Sequence, residues 1–326
     1  MHSNTFRMSC LLDWSSDCCY HHKNETEMVN NYRGYIQAFC AYALWGIFPL
    51  YWKLVAHVPS VEVICHRIVW SLLVLTVLTT YVRQWQDVSG LLKDRKRLAL
   101  CGLAAVLISI NWLAFIWAVQ NGYVVEASLG YFINPLLTVL LAVVIFRERI
   151  SSIQWFAIAS AFVGVGVMTW ATGDFPWIAF SLATSFACYA AVKKRTTMPA
   201  ISGLGMETAI LAPLSLVLLG YFRVYDSEAV SLSPGTLGLL ILGGPITTLP
   251  LVLFASAAKS VPLVAMGMLQ YVGPLIQFLL AYFLFREVVP LGQLVGFFIV
   301  WMALALFVWG TIQLEKQKRL NTPQGR

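Results

Sequence analysis

Two stretches of the chain align on one another without a gap. Residues 127–148 read ASLGYFINPLLTVLLAVVIFRE, and residues 266–287 read MGMLQYVGPLIQFLLAYFLFRE. At an offset of 139 residues, Pro135 meets Pro274 and Phe146-Arg147-Glu148 meets Phe285-Arg286-Glu287. The same offset carries Phe115 to Phe254, Gln154 to Gln293 and Trp170 to Trp309. One apolar unit is therefore written twice. Composition says where such a unit can fold. Hydrophobic residues are 59% of the chain and charged residues 11%, against about 25% charged in soluble domains. Several apolar runs exceed the roughly 18 residues needed to cross a bilayer.

Ten spans are expected, at 34–53, 62–82, 98–119, 124–146, 152–172, 175–193, 202–222, 236–257, 263–285 and 291–312. The fold class is all-α polytopic membrane protein, with two inverted repeats of five helices. Residues 1–32 are expected as an N-terminal tail, disordered or lying before the true start, 33–173 as the first repeat, 174–313 as the second and 314–326 as a cytoplasmic basic tail. Trp52, Trp85, Trp155, Trp170, Trp177 and Trp309 fall near span ends, as an aromatic belt requires. Ser160/Gly164 and Gly292/Gly296 have the spacing that lets membrane helices approach closely.

Charge sets orientation. With the N-terminus inside, the inner loops and tails hold 18 of the 22 Lys and Arg residues. Lys53, Arg223 and Arg286 lie outside, and Arg67 lies within a span. Both termini are thus expected in the cytoplasm. Five spans per unit is an odd number, so the second copy must be inverted. The net charge of +7 is this loop bias and does not point to nucleic acid. The first 30 residues lack an apolar run long enough for a signal peptide, and Met28 is an alternative start. Cys10, Cys18, Cys19, His21 and His22 lack structural zinc spacing, so no metal is expected. The remaining cysteines read as small buried apolar residues.

The run Ala41-Tyr42-Ala43-Leu44-Trp45-Gly46-Ile47-Phe48-Pro49 comes first. Glu62 with His66-Arg67, Asn111-Trp112, and Glu126 through Pro135 (EASLGYFINP) follow. Together with Gln270-Tyr271-Val272-Gly273-Pro274 and the Trp301 region, they resemble the RarD permeases. These form part of the EamA branch of the drug/metabolite transporter superfamily. The likeness covers about residues 33–312. It implies ten helices in two EamA repeats, a bacterial cytoplasmic (inner) membrane location and, by direction, export. The family's usual label refers to chloramphenicol sensitivity.

Polar residues inside spans are costly and are functional candidates by default. Arg67 either snorkels to the interface or faces a central cavity and holds an anionic group. His66 is a proton carrier or a hydrogen-bonded structural histidine. Glu62 complements a helix N-terminus or opens a proton path. Asn134 lies near the midplane, and Pro135 after it frees a carbonyl one turn earlier. Pro274 does the same beside Gln270 and Tyr271, and paired helix breaks at the midplane point to a transporter's binding site. Glu207 is a proton-binding group or pairs with Lys193, Lys194 or Arg195. A bond between Glu207 and Arg67 is not expected, because inversion places them near opposite faces. Glu148 and Glu287 read as interfacial anchors.

These readings combine into a secondary transporter working by alternating access. Trp45, Arg67, Asn111, Trp112, Asn134, Gln270 and Tyr271 are the candidate substrate residues. Glu62, His66 and Glu207 are the candidates for proton coupling, and Pro135 and Pro274 mark the helix breaks. Drugs of the chloramphenicol type, metabolites and amino acids stand as substrates. The lipid bilayer is the surrounding partner, and protons and a second copy of the chain stay open as partners. No catalytic motif or phosphate loop is present, so no cofactor and no enzyme activity are expected. A membrane-embedded enzyme on a lipid head group and a non-transporting scaffold are the alternatives.

Overall fold

Helix ends are where the sequence speaks most directly. Asp94 accepts from the backbone N–H groups of Lys96 and Arg97 and starts one helix. Ser151 and Gln154 form a reciprocal capping box that starts another. That second helix ends on Gly173 in the left-handed conformation, φ 75°, which glycine adopts without strain. Gly173 is also the expected joint between the two repeats.

The computed structural model describes residues 16–147, 150–196, 198–225, 233–257, 261 and 269–321. The helices are α1 (Ser16–Leu54), α2 (Ser60–Tyr81), α3 (Trp85–Lys93), α4 (Arg95–Gln120), α5 (Val124–Phe146) and α6 (Ser152–Thr172). They continue with α7 (Trp177–Thr196), α8 (Ala200–Tyr225), α9 (Pro234–Ala257), α10 (Val272–Leu279) and α11 (Leu291–Asn321). A π-turn, Leu280–Leu284, follows α10. No strand occurs among the described residues. Among the described residues, seven helices (α2, α4, α5, α6, α8, α9 and α11) are long and apolar enough to cross a membrane, and shorter apolar helices lie at Trp177–Lys193 and Val272–Leu284. The chain is an all-helical polytopic membrane protein. The expected first span lies inside α1, which begins well upstream of it. Much of the expected N-terminal tail is thus helical, and residues 1–15 lie outside the described residues. The first part of the ninth expected span, 262–268, also lies outside them. Helix α11 runs into the expected basic tail.

The strongest packing pairs are α6 with α11, α5 with α7, α2 with α8, α4 with α7, α2 with α9, α1 with α9 and α1 with α10. Exchange α1 with α7, α2 with α8, α4 with α9, α5 with α10 and α6 with α11. Then α4·α7 becomes α9·α1, α5·α7 becomes α10·α1, and α2·α9 becomes α8·α4, which is also a contact. The pairs α2·α8, α6·α11 and α5·α10 map onto themselves. A backbone detail obeys the same exchange. Arg147 and Arg286, which close α5 and the π-turn, both sit in the left-handed region at φ 54° and 53°.

Close approach is built from glycine. A Cβ on Gly164 would meet the Gly296 carbonyl at 3.0 Å, and one on Gly296 the Gly164 carbonyl at 2.8 Å. A Cβ on Gly292 would overlap Ala171, so the small-residue spacings do seat α6 against α11. A Cβ on Gly244 would fall 2.5 Å from the Trp70 backbone, which brings α9 against α2. Trp85, Trp155, Trp170, Trp177 and Trp309 are exposed as a belt requires. Trp52 is not: it is 1% exposed and belongs to the core.

Candidate functional site

Helix α2 carries three of the candidate residues, Glu62, His66 and Arg67. Its eighth residue, Arg67, is 5% exposed. The long side chain does not reach the interface. Its guanidinium lies 4.0 Å from the ring centre of Trp112 on α4 and 5.3 Å from that of Trp52 on α1. Tyr51 and Tyr131 lie close enough to interact with it electrostatically. Nε has no hydrogen-bond partner among the described residues, and no carboxylate pairs with the guanidinium among them. Cation–π contact is its principal compensation.

The same helix carries the two other α2 candidates. Glu62 Oε1 lies 4.0 Å from His66 Nε2. His66 Nδ1 accepts from the Trp70 indole at 3.3 Å, so that nitrogen holds no proton in this arrangement.

Helix α8 mirrors α2 in register, because Glu207 is also its eighth residue. There the charge is satisfied. Lys193 Nζ bonds Glu207 Oε1 at 2.6 Å, and the Tyr189 hydroxyl donates to Oε2 at 3.0 Å. The expected pairing of Glu207 with Lys193 is present. The two antiparallel helices set Arg67 and Glu207 toward opposite ends of the bundle, and the pair do not meet.

The remaining candidates scatter. Asn111 is 1% exposed, and its amide donates to the Leu182 carbonyl at 2.9 Å and the Ser185 hydroxyl at 3.1 Å. Its donors hold α4 to α7. Asn134 accepts from Thr138 within α5. Trp45 packs on Tyr42 and Phe254, and its carbonyl accepts from Gln277 at 3.1 Å. Tyr271 stacks on Phe132 at 6.4 Å, and Gln270 stands in the turn before α10. The two prolines differ. Pro135 lies inside the unbroken helix α5, whereas Pro274 lies in the first turn of α10, where a missing N–H costs little. Only the second copy is interrupted, at Gln270–Tyr271. A cavity of about 90 Å³ is lined by Ile133, Leu136, Phe162, Val165 and Phe180.

Sequence reasoning missed the placement of four residues. Trp52 was read as a belt residue, although it stands two turns from Trp45 and so on the same face of α1. Tyr51 and Tyr131 carried no distinguishing signal. Glu287 was read as an anchor, but its carboxylate accepts from the backbone N–H groups of Val124 and Val125 at 2.9 and 2.8 Å. The turn through left-handed Arg286 swings it over the start of α5. Glu126 likewise accepts from Ile178 N at 2.9 Å, at the start of α7. Burial raises the Glu287 carboxyl above its usual range, against those two hydrogen bonds and nearby Lys53.

Among the described residues no group of three His, Cys, Asp or Glu side chains is placed to hold a metal. Cys40, Cys65, Cys101 and Cys188 are free thiols.

Comparison with known proteins places the chain. Residues 32–170 match the EamA-like transporter family. Protein RarD of Salmonella typhi is 41% identical over 289 residues, covering 88% of this chain and 98% of that one. The uncharacterized transporter YojE of Bacillus subtilis is 39% identical, with 88% and 97% covered. The chloramphenicol-sensitive protein RarD of Pseudomonas aeruginosa is 32% identical, with the same coverage. A crystal structure at 17% identity shares the fold, with a TM-score of 0.58 over 86% of this chain and 98% of that one. The chain belongs to the RarD permease family, among the EamA-like membrane transporters.

Proposed function

We propose that this transporter moves small molecules across the bacterial inner membrane by alternating access, as a secondary carrier. Ten spans in two inverted five-helix halves, α1, α2 and α4–α6 against α7–α11, rock about the α2·α8 and α5·α10 contacts. The observation that carries this reading is that the strongest helix pairs map onto one another when the halves are exchanged. Inverted halves of this kind have two equivalent packings, one open to each face. The common left-handed turn at Arg147 and Arg286 supports the same pairing of halves.

In this reading both termini are cytoplasmic, and the Glu126–Glu287 end faces outward. Arg67, Trp112 and Trp45 line the path with Asn134, Gln270 and Tyr271, and Asn111 holds the wall behind them. Glu62, His66 and Glu207 are the groups that would couple transport to protons. Export is the proposed direction. Chloramphenicol-type drugs, amino acids and other small metabolites are the candidate cargo.

The test is uptake by proteoliposomes of a labelled panel of these compounds, with and without an imposed pH gradient. Saturable, protein-dependent movement is expected. Arg67→Ala and Asn134→Ala should abolish it at unchanged membrane abundance. Activity that falls only in step with abundance would assign both residues to folding.

A further inference from the structure

Arg67 is a buried cation whose surroundings are incomplete. A guanidinium keeps its charge in proteins and offers only donors. Here it is 5% exposed, its Nε lacks an acceptor, and no carboxylate pairs with it among the described residues. The two tryptophan faces return only part of the hydration lost on burial. A second orphan sits in the ring beside it. Trp52 is 1% exposed, and its indole Nε1 also has no acceptor. Indole N–H is a donor only. Two neighbouring buried groups thus present N–H donors without an acceptor, and one of them is charged.

We propose that Arg67 and Trp52 form the seat of a small soluble oxyanion, a carboxylate or a phosphate, and that the transported substrate carries this group. The planar fork of arginine matches both oxyanions in bidentate geometry. A neutral carbonyl could accept one N–H but would leave the charge uncompensated. The repeat sets these unpaired donors apart from the matching position of the second half. At the matching position of α8, Glu207 already has Lys193 and Tyr189. Trp112, Tyr51 and Tyr131 would pack on the rest of the molecule. Phospholipid head groups carry the same chemistry. The burial of Arg67 between α1, α2 and α4, away from the lipid-facing surface, favours a soluble anion. The anion's role as cargo rests on the transport reading, but its binding does not.

Binding is therefore measured without flux. Thermal unfolding of the purified full-length protein in neutral detergent is followed with benzoate, phenyl phosphate or benzamide added at equal concentration. A ligand that binds the folded state raises the midpoint. Benzoate or phenyl phosphate should raise it, and benzamide should not. Arg67→Gln should weaken the anion's affinity by about thirtyfold or more, as for truncating one partner of a buried charged pair. Arg67→Lys should recover part of that loss. Trp52→Phe, which keeps the ring and removes the N–H, should weaken binding severalfold. Without ligand, Arg67→Met should melt no lower than the native protein, because it removes an uncompensated charge.

Equal shifts from benzamide and benzoate would overturn the proposal. So would an anion response that survives Arg67→Gln, or no response to either anion. A marked loss of stability in Arg67→Met would show a structural cation instead. In nanodiscs, stabilisation by phosphatidylglycerol that soluble anions cannot reproduce would assign the seat to lipid and refute the soluble ligand. Failure of flux with anion binding intact would sink the transport reading alone.

Discussion

The Lys193–Glu207 pair lends itself to a worked prediction. Glu207 is 1% exposed, and its partners are Lys193 at 2.6 Å and Tyr189 at 3.0 Å. Lys193→Met leaves a buried carboxylate with one neutral donor. Removing one member of a buried ion pair costs about 3–5 kcal/mol. An independent bound comes from protonation. The stranded carboxyl can take up a proton, and at pH 7 that costs about 3.7 kcal/mol against a solution pKa near 4.3. The two figures agree, so Lys193→Met should destabilise by roughly 3–4 kcal/mol. Glu207→Gln strands the ammonium instead. That loss should be smaller, because Lys193 is about a quarter exposed and can reach water. The double variant Lys193→Met/Glu207→Gln removes both charges and should recover most of the stability. A double-mutant cycle by reversible SDS unfolding in mixed micelles measures the coupling. A coupling of about 2 kcal/mol or more is expected. Additive losses would refute the claim that the pair compensates buried charge.

Other outcomes follow from the geometry. Gly244→Ala should destabilise by about 1–3 kcal/mol, since its Cβ would fall 2.5 Å from the Trp70 backbone; an unchanged unfolding midpoint would contradict this packing. Asn111→Leu should lower stability while sparing the transport per folded molecule, because its donors serve Leu182 and Ser185; unchanged folding with lost transport would return it to the substrate path. Glu287 gives a pH dependence. Burial raises its folded-state value, so its stabilising contribution is present below the unfolded value near 4.3 and is lost as pH rises through the folded one. The stability advantage of native protein over Glu287→Gln, followed by thermal unfolding, should therefore shrink from acid toward neutral pH. An advantage that grows with pH would mean that the hydrogen bonds of Val124 and Val125 outweigh burial.

Much of the helix order was readable because a bilayer imposes length. The expected spans 98–119 and 152–172 lie within α4 and α6, because apolar length marks them; the caps at Asp94, Ser151 and Gly173 set the ends themselves. The recurrence of Phe-Arg-Glu at one spacing was readable in the sequence, and Arg147 and Arg286 within it share a backbone conformation. Periodicity could not say which polar residue faces which neighbour. Asn111 looked like a cavity residue, yet the path of α7 places the Leu182 carbonyl within its reach. Trp52 looked interfacial because it ends an apolar run, but the turn between α1 and α2 folds it over Arg67. Glu287 became a helix cap only through the chain reversal at Arg286. The short helix α3 falls between the second and third expected spans, in a stretch whose Lys and Arg residues give it to an inner loop. These are matters of rotation and tertiary contact, and spacing along one chain does not contain them.

Exchange across a membrane tests the central claim most directly. Proteoliposomes preloaded with an unlabelled transported compound should take up its labelled form faster than empty ones. A carrier that alternates between two faces returns more quickly when loaded. Trans-stimulation that vanishes in Arg67→Ala would agree with the account. Uptake indifferent to the internal solute would describe a pore, and no protein-dependent uptake of any compound would contradict transport by this fold.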